Sequence, residues 1–274
     1  AFEPWMSKEI PSLWVEMPRG NALVLLALAL EDLTGGVLHR NFTTFLASGG
    51  PSPRDETIEV DGRRIRVVRI APSGFSQAEW SLGHWDVLDG LKRNGAGAGY
   101  FECRLPWPEG LDPKEVASAA FRAELGAKQL FTKDRKHAPK QEGDFMRGGG
   151  THDPSLNPNS YPMTDSVRFP SAVRVRFAGE PLGVFDLADD PADHRGILSW
   201  HSQKRDRRLR EAGSYGYLVS ASIPEAAIRK AAAAREIVLR LEVDPTLPGG
   251  LAIYGERFGR YPLDPTITFV LKGR

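Results

Sequence analysis

Apolar and polar residues alternate with a period of two along much of this chain, the spacing of strands that bury one face. The first such block predicts strands over Leu13–Met17, Ala22–Leu30 and Val37–Leu46. A turn at Thr34, Gly35 and Gly36 separates the last two, and beyond it Val37, His39, Asn41 and Thr43 alternate with Leu38, Arg40, Phe42 and Thr44. A second hairpin is predicted over Thr57–Val60 and Arg64–Ile70 about Asp61-Gly62, a dipeptide suited to the positive φ angles of a tight turn. Further strands are expected at Gly99–Leu105, Ala172–Phe177, Tyr217–Ile223, Ile237–Val243, Leu251–Tyr254 and Thr266–Leu271. Two Ala-rich segments with Pro in the first turn predict helices: Pro113–Leu125, capped by Asp112 and stopped by Gly126, and Pro224–Arg235. Many short strands with few helices predict an all-β fold, a β-sandwich or jelly roll.

The turn-rich run Gly49, Gly50, Pro51, Ser52, Pro53 divides the pattern into residues 1–54 and residues 55–274. Three strands rarely hold together alone, so the first piece is expected to pack on its neighbour or to lack strands. Within the second piece, the stretch from about 136 to 170 carries no strand signal and predicts a long inserted loop. A chain of 274 residues suits two domains at roughly 150 residues each.

Composition narrows the function classes. Thirty-six Lys and Arg against 35 Asp and Glu leave a net charge of +1, so no global field draws nucleic acid or an anionic membrane. The densest basic run, Lys204–Arg210, is broken by Asp206 and followed by Glu211, the pattern of a solvated face. Cys103 is the only cysteine, which excludes an internal disulfide and a Cys-based zinc site, and its place in a strand pattern predicts a buried thiol. The longest apolar stretch, Ala22–Leu30, has nine residues against the roughly 18 of a membrane span. Ala1–Glu9 lacks the basic and apolar regions of an export signal, so any signal of a parent protein is expected to be absent from this chain.

Four stretches carry a family resemblance: Glu31-Asp32 with Val37–Phe42, Phe185–Trp200, Glu211–Val219 and Gly250–Pro265. Together they resemble the C-terminal accessory region of bacterial family 2 glycoside hydrolases, relatives of β-galactosidase, β-glucuronidase and β-mannosidase. The resemblance implies an immunoglobulin-like β-sandwich remnant over residues 1–54. It implies a galactose-binding-like jelly-roll β-sandwich over 55–274, interrupted by the long inserted loop. In such enzymes the catalytic carboxylates lie on a separate barrel of alternating strands and helices, a pattern this sequence does not show. The resemblance therefore implies no catalytic residue here, the remainder of a multidomain glycoside hydrolase as partner, and a periplasmic or secreted location.

Sugar recognition on a sandwich needs an aromatic plane for the C–H face of a pyranose and polar groups that fix its hydroxyls. Trp85, Tyr161 and Trp200 are the stacking candidates, although for any single Trp a core role is the stronger reading. His152, Asn157, Asn159, His194, Arg195 and His201 are the polar candidates; the amides among them both donate and accept. Asx turns that shape the long loop are the alternative for His152, Asn157, Asn159 and Tyr161. Asp189, Asp190 and Asp193 could hold a structural calcium ion or simply brace a turn, and no cofactor is otherwise required.

The functional expectation is a non-catalytic module that binds carbohydrate, with glycan binding and no turnover. A structural domain packed against a catalytic barrel or an oligomer partner is the second reading, favoured by an apolar patch left exposed on residues 1–50. A self-contained jelly-roll enzyme that degrades polysaccharide is the third.

Overall fold

The computed structural model describes Trp14 and residues 23–46, 52–130, 169–191, 216–243, 245–247 and 249–273. The predicted first hairpin is present as β1 (Leu23–Glu31) and β2 (Val37–Leu46), paired antiparallel with Leu28 opposite Asn41. Its turn is tied by Asp32, whose Oδ1 accepts from the backbone N–H groups of Thr34 and Gly36, both at 2.8 Å. Gly35, at φ 85°, supplies the left-handed residue.

The remaining described strands form a sandwich of two antiparallel sheets. Its elements are β3 (Asp55–Val60), β4 (Arg63–Arg69), β5 (Gln77–Trp80), β6 (Gly83–Val87), β7 (Lys92–Ala96) and β8 (Gly99–Pro106). There follow β9 (Val116–Gly126), β10 (Ser171–Phe177), β11 (Glu180–Leu187) and β12 (Tyr217–Ile223). The helix α1 (Glu225–Ala234) precedes β13 (Glu236–Val243), β14 (Leu251–Tyr254) and β15 (Thr266–Leu271). One sheet has the order β11-β10-β13-β8-β5, the other β3-β4-β15-β9-β14-β7-β6, with β12 also on β9. Inward residues of the smaller sheet, Phe101, Cys103, Phe177, Leu239 and Leu241, meet Phe121, Leu125, Ile253, Ile267 and Phe269 of the larger in one core. The fold is thus the expected all-β sandwich. No helix among the described residues is long and apolar enough to cross a membrane.

The predicted helix over Pro113–Leu125 is a correction. Asp112 does cap, accepting from the Lys114 N–H at 2.9 Å, but it caps a single 3₁₀ turn over Pro113–Glu115. From Val116 the chain is a central strand that bonds β12, β15 and β14. Ala119, Ala120 and Ala123 fit a helical stripe, yet Ala119, Phe121, Ala123 and Leu125 also alternate into the core. Helix preference separates Ala from ordinary residues by no more than about 0.7 kcal/mol each. Burying Val116, Phe121 and Leu125 contributes about 1.5–3 kcal/mol apiece, so packing wins. The second predicted helix is observed: Pro224 enters it, and Arg235, left-handed at φ 54°, closes it with its N–H shared between the carbonyls of Ala231 and Ala232. Strands β5, β6, β7 and β11 were not expected. Lys92-Arg93-Asn94-Gly95-Ala96 has no strand composition, and β11 contains Pro181 and Gly183.

The hairpin differs from the sandwich in what it leaves outside. Leu25, Leu28, Leu30 and Leu38 are 55%, 47%, 49% and 63% exposed. A strand apolar on both faces, as β1 is, normally lies between two layers.

Candidate functional site

Around β7, β14 and the end of β9, the outer face of the larger sheet is a buried polar floor. Cross-strand register sets Trp85, Asn94, Ala252 and Gly126 in one row and Val87, Lys92 and Tyr254 in the next. Lys92 and Asn94 are buried there, the Lys92 ammonium 4.5 Å from the centre of the Tyr254 ring. Trp85 is therefore half-buried on this floor, beside polar groups.

The described ends of both long sequence segments converge on the same region. Lys128 and Gln129 lie where the chain leaves toward 131, Phe169 where it returns, Asp189 to Pro191 where it leaves again, and Gly216 where it re-enters. Two adjacent carboxylates pin these ends. Asp190 lies 3.2 Å from the Lys128 ammonium through each oxygen and accepts from the Gln129 N–H at 2.9 Å. Asp189 Oδ1 accepts from the N–H groups of Phe169 and Asp190, both at 2.9 Å. Burial pushes the Asp190 carboxyl up, and Lys128 opposes that shift. A calcium ion on Asp190 would have to displace this ammonium, and among the described residues no group of three or more metal-ligating side chains gathers. Asp193, the third expected ligand, lies outside the described residues, as do His152, Asn157, Asn159, Tyr161, His194, Arg195, Trp200 and His201.

Glu124 belongs to the same face and is fully buried beneath the loop that follows β14. Its oxygens accept from the N–H groups of Arg260 (2.9 Å) and Tyr261 (2.8 Å), with a further bond from Gly216. Burial raises its carboxyl to about 7 against the pull of those donors. Cys103 is pushed up to about 12 by burial and by Glu102, which makes it an inert core thiol, as expected.

An open groove of about 830 Å³ lies toward the start of β9, the opposite end of that strand from the floor. One wall is the link from β8 to β9: Trp107, Pro108, Glu109, Gly110, Leu111, Asp112 and Pro113. The other is the C-terminal end of α1 with Arg229 and Arg235. Trp107 is fixed in place: its indole N–H donates to the Leu111 carbonyl at 2.8 Å, its backbone N–H to that of Arg235 at 3.0 Å, and its ring meets Phe269 edge-on at 5.5 Å. Arg229 reaches Glu225 at 3.1 Å, and both side chains remain exposed. The groove thus joins a rigid indole and proline rings to guanidinium and carboxylate groups of both signs. Sequence reasoning missed it, although the run Leu105-Pro106-Trp107-Pro108 sets a Trp between two prolines at the head of a turn.

A third polar surface covers the smaller sheet. Glu102, nearly buried, is gripped by Arg240 at 2.7 Å and by Arg104 at 2.8 Å, while Arg240 lies over the Tyr100 ring at 4.0 Å. These charges satisfy one another, and the guanidinium occupies a face of the ring that a sugar would need. Compared with known proteins, the chain matches no family model and no curated sequence.

Proposed function

We propose that this chain is a non-catalytic carbohydrate-binding module, an accessory part of a multidomain glycoside hydrolase working in the periplasm or outside the cell. The observation that carries this reading is the Trp107 groove. Its volume lies within the roughly 300–1,000 Å³ of small-ligand sites, and its lining is the amphipathic set a pyranose fits. Glu109 and Asp112 can accept from hydroxyls; Arg229 and Arg235 can donate to them. The resemblance of Gly250–Pro265 and its companion stretches to accessory regions of family 2 enzymes supports the same class, with an immunoglobulin-like piece before a galactose-binding-like jelly roll. His152, Asn157, Asn159, Tyr161, His194, Arg195, Trp200 and His201 remain candidates for a second sugar contact, as does Trp85.

The test is a glycan array with the whole chain, repeated with Trp107→Ala, Arg229→Ala, His152→Ala and Trp200→Ala, with released reducing sugar measured on every hit. Binding without release, lost in Trp107→Ala and weakened in Arg229→Ala, supports the groove. Binding lost only in His152→Ala or Trp200→Ala moves the site to the long segments, and released sugar makes the chain an enzyme.

A second reading has its own observation. The exposed leucines of the β1–β2 hairpin favour a structural role in which the hairpin packs on the rest of the parent enzyme. Absence of binding to any glycan would favour that role.

A further inference from the structure

The hairpin reaches the sandwich at Phe42. Its ring lies 3.8 Å from the Arg260 guanidinium carbon and 5.4 Å from the Tyr261 ring centre. Both residues sit on the loop after β14, whose first residues are tied down and joined to its far end. The Gly255 N–H donates to the Leu91 carbonyl at 2.9 Å, and the Glu256 N–H to Asp264 Oδ1 at 3.0 Å. Between Glu256 and Asp264 the loop passes over Glu124, which accepts from the backbone of the two residues that touch Phe42. The approach is so close that a Cβ at Gly259 would overlap Glu124 Oε2, so only glycine lets the loop settle on the carboxylate. Glu256 also points to the chain that leaves the hairpin, accepting from the Ser52 N–H at a long 3.4 Å.

Through their backbone N–H groups, Glu124 sets the position of both residues that meet Phe42. We infer that Glu124 is the clasp of an internal joint: from inside the larger sheet it fixes the 255–262 loop as a seat, and the β1–β2 hairpin rides on that seat through Phe42. The carboxylate is suited to this because its two oxygens can serve several N–H donors at once, whereas an amide presents one acceptor oxygen. Glu124 is a positioning residue, and the side chains of Arg260 and Phe42 are the contact itself.

Hydrogen exchange on the intact chain separates these roles. In Glu124→Gln, amides of the 255–262 loop and of β2 should exchange at least about tenfold faster, while those of β8 and β13 keep their protection. In Arg260→Ala, which retains the backbone N–H that Glu124 holds, β2 should loosen and the loop should not. Phe42→Ala should repeat the Arg260→Ala pattern. Loop amides that loosen in Glu124→Gln with β2 unchanged would overturn the joint, as would β2 left unchanged in both Arg260→Ala and Phe42→Ala. If Glu124→Gln disturbs the whole sandwich, Arg260→Ala decides: faster β2 exchange over a quiet loop supports the seat, and no change in β2 overturns it.

Discussion

Lys128 and Asp190 form a buried ion pair, the ammonium 3.2 Å from each carboxylate oxygen, at the place where both long segments join the sandwich. A charge taken out of water is tolerable when its partner is present and expensive when it is not. Replacing Lys128 by Met should therefore cost about 3–5 kcal/mol, the usual result of stripping one partner from a buried pair. The double variant Lys128→Met with Asp190→Leu should recover most of that loss. Urea denaturation of the four proteins measures it, and purely additive single effects would show that the pair is not coupled.

Lowering the pH from 8 to 5.5 should stabilise this fold. Glu124 is raised from 4.5 to about 7, first by burial, with Arg260 as the opposing charge and backbone N–H groups of Arg260, Tyr261 and Gly216 lowering it. Burial shifts Asp190 and Asp264 upward as well. A carboxyl with a raised folded pKa binds its proton more tightly in the fold than in the open chain. Its contribution is complete below the unfolded value near 4.5 and is lost as the pH rises through about 7. For Glu124 that amounts to about 3 kcal/mol. The thermal midpoint should climb as the pH falls from 8 to 5.5, and Glu124→Gln should flatten the slope. A midpoint that falls over that window contradicts the assignment.

Strand β9 offers a direct check on the helix it replaced. Ser118 is exposed and stands opposite Val270 on β15. Ser118→Val adds a β-branched side chain to a cross-strand pair, which should stabilise the sandwich by up to about 1 kcal/mol. In a helix the same change would bring no gain. A lowered thermal midpoint would argue against the strand.

The exposed face of β1 should make the hairpin adhesive. Sedimentation at rising concentration should show self-association, and Leu28→Lys with Leu30→Lys should remove it while leaving the thermal midpoint of the sandwich in place. A chain that stays monomeric at high concentration would weaken the packing role assigned to these leucines.

How far the sequence could be read depends on what kind of signal each element carries. The β1–β2 hairpin was legible because a Gly pair and period-two alternation report local geometry. So was α1, because its Ala-rich body and proline entry coincide with a helix that lies on the surface. β9 was misread for the same Ala content: small residues serve a strand crowded between β12 and β15, and neighbours distant in sequence decide that. β7 was invisible because its outward residues, Lys92 and Asn94, are polar yet buried, a burial no local pattern encodes. Trp85 was found through its residue type, but its position beside Asn94 and Lys92 follows only from register. Trp107 was passed over because its groove is completed by α1, more than a hundred residues later.

The most direct test of the carbohydrate-binding account is titration calorimetry of the intact chain against the best oligosaccharide from a glycan array, with Trp107→Ala as the paired variant. The account predicts one weak site, with a dissociation constant of about 10⁻⁵ to 10⁻³ M, or roughly 4–7 kcal/mol of binding free energy, and no change in the sugar. Trp107→Ala should weaken it at least about tenfold, with the circular dichroism of the sandwich retained. Equal affinity in wild type and a folded Trp107→Ala, or no heat with any glycan, would contradict the groove as the site of recognition.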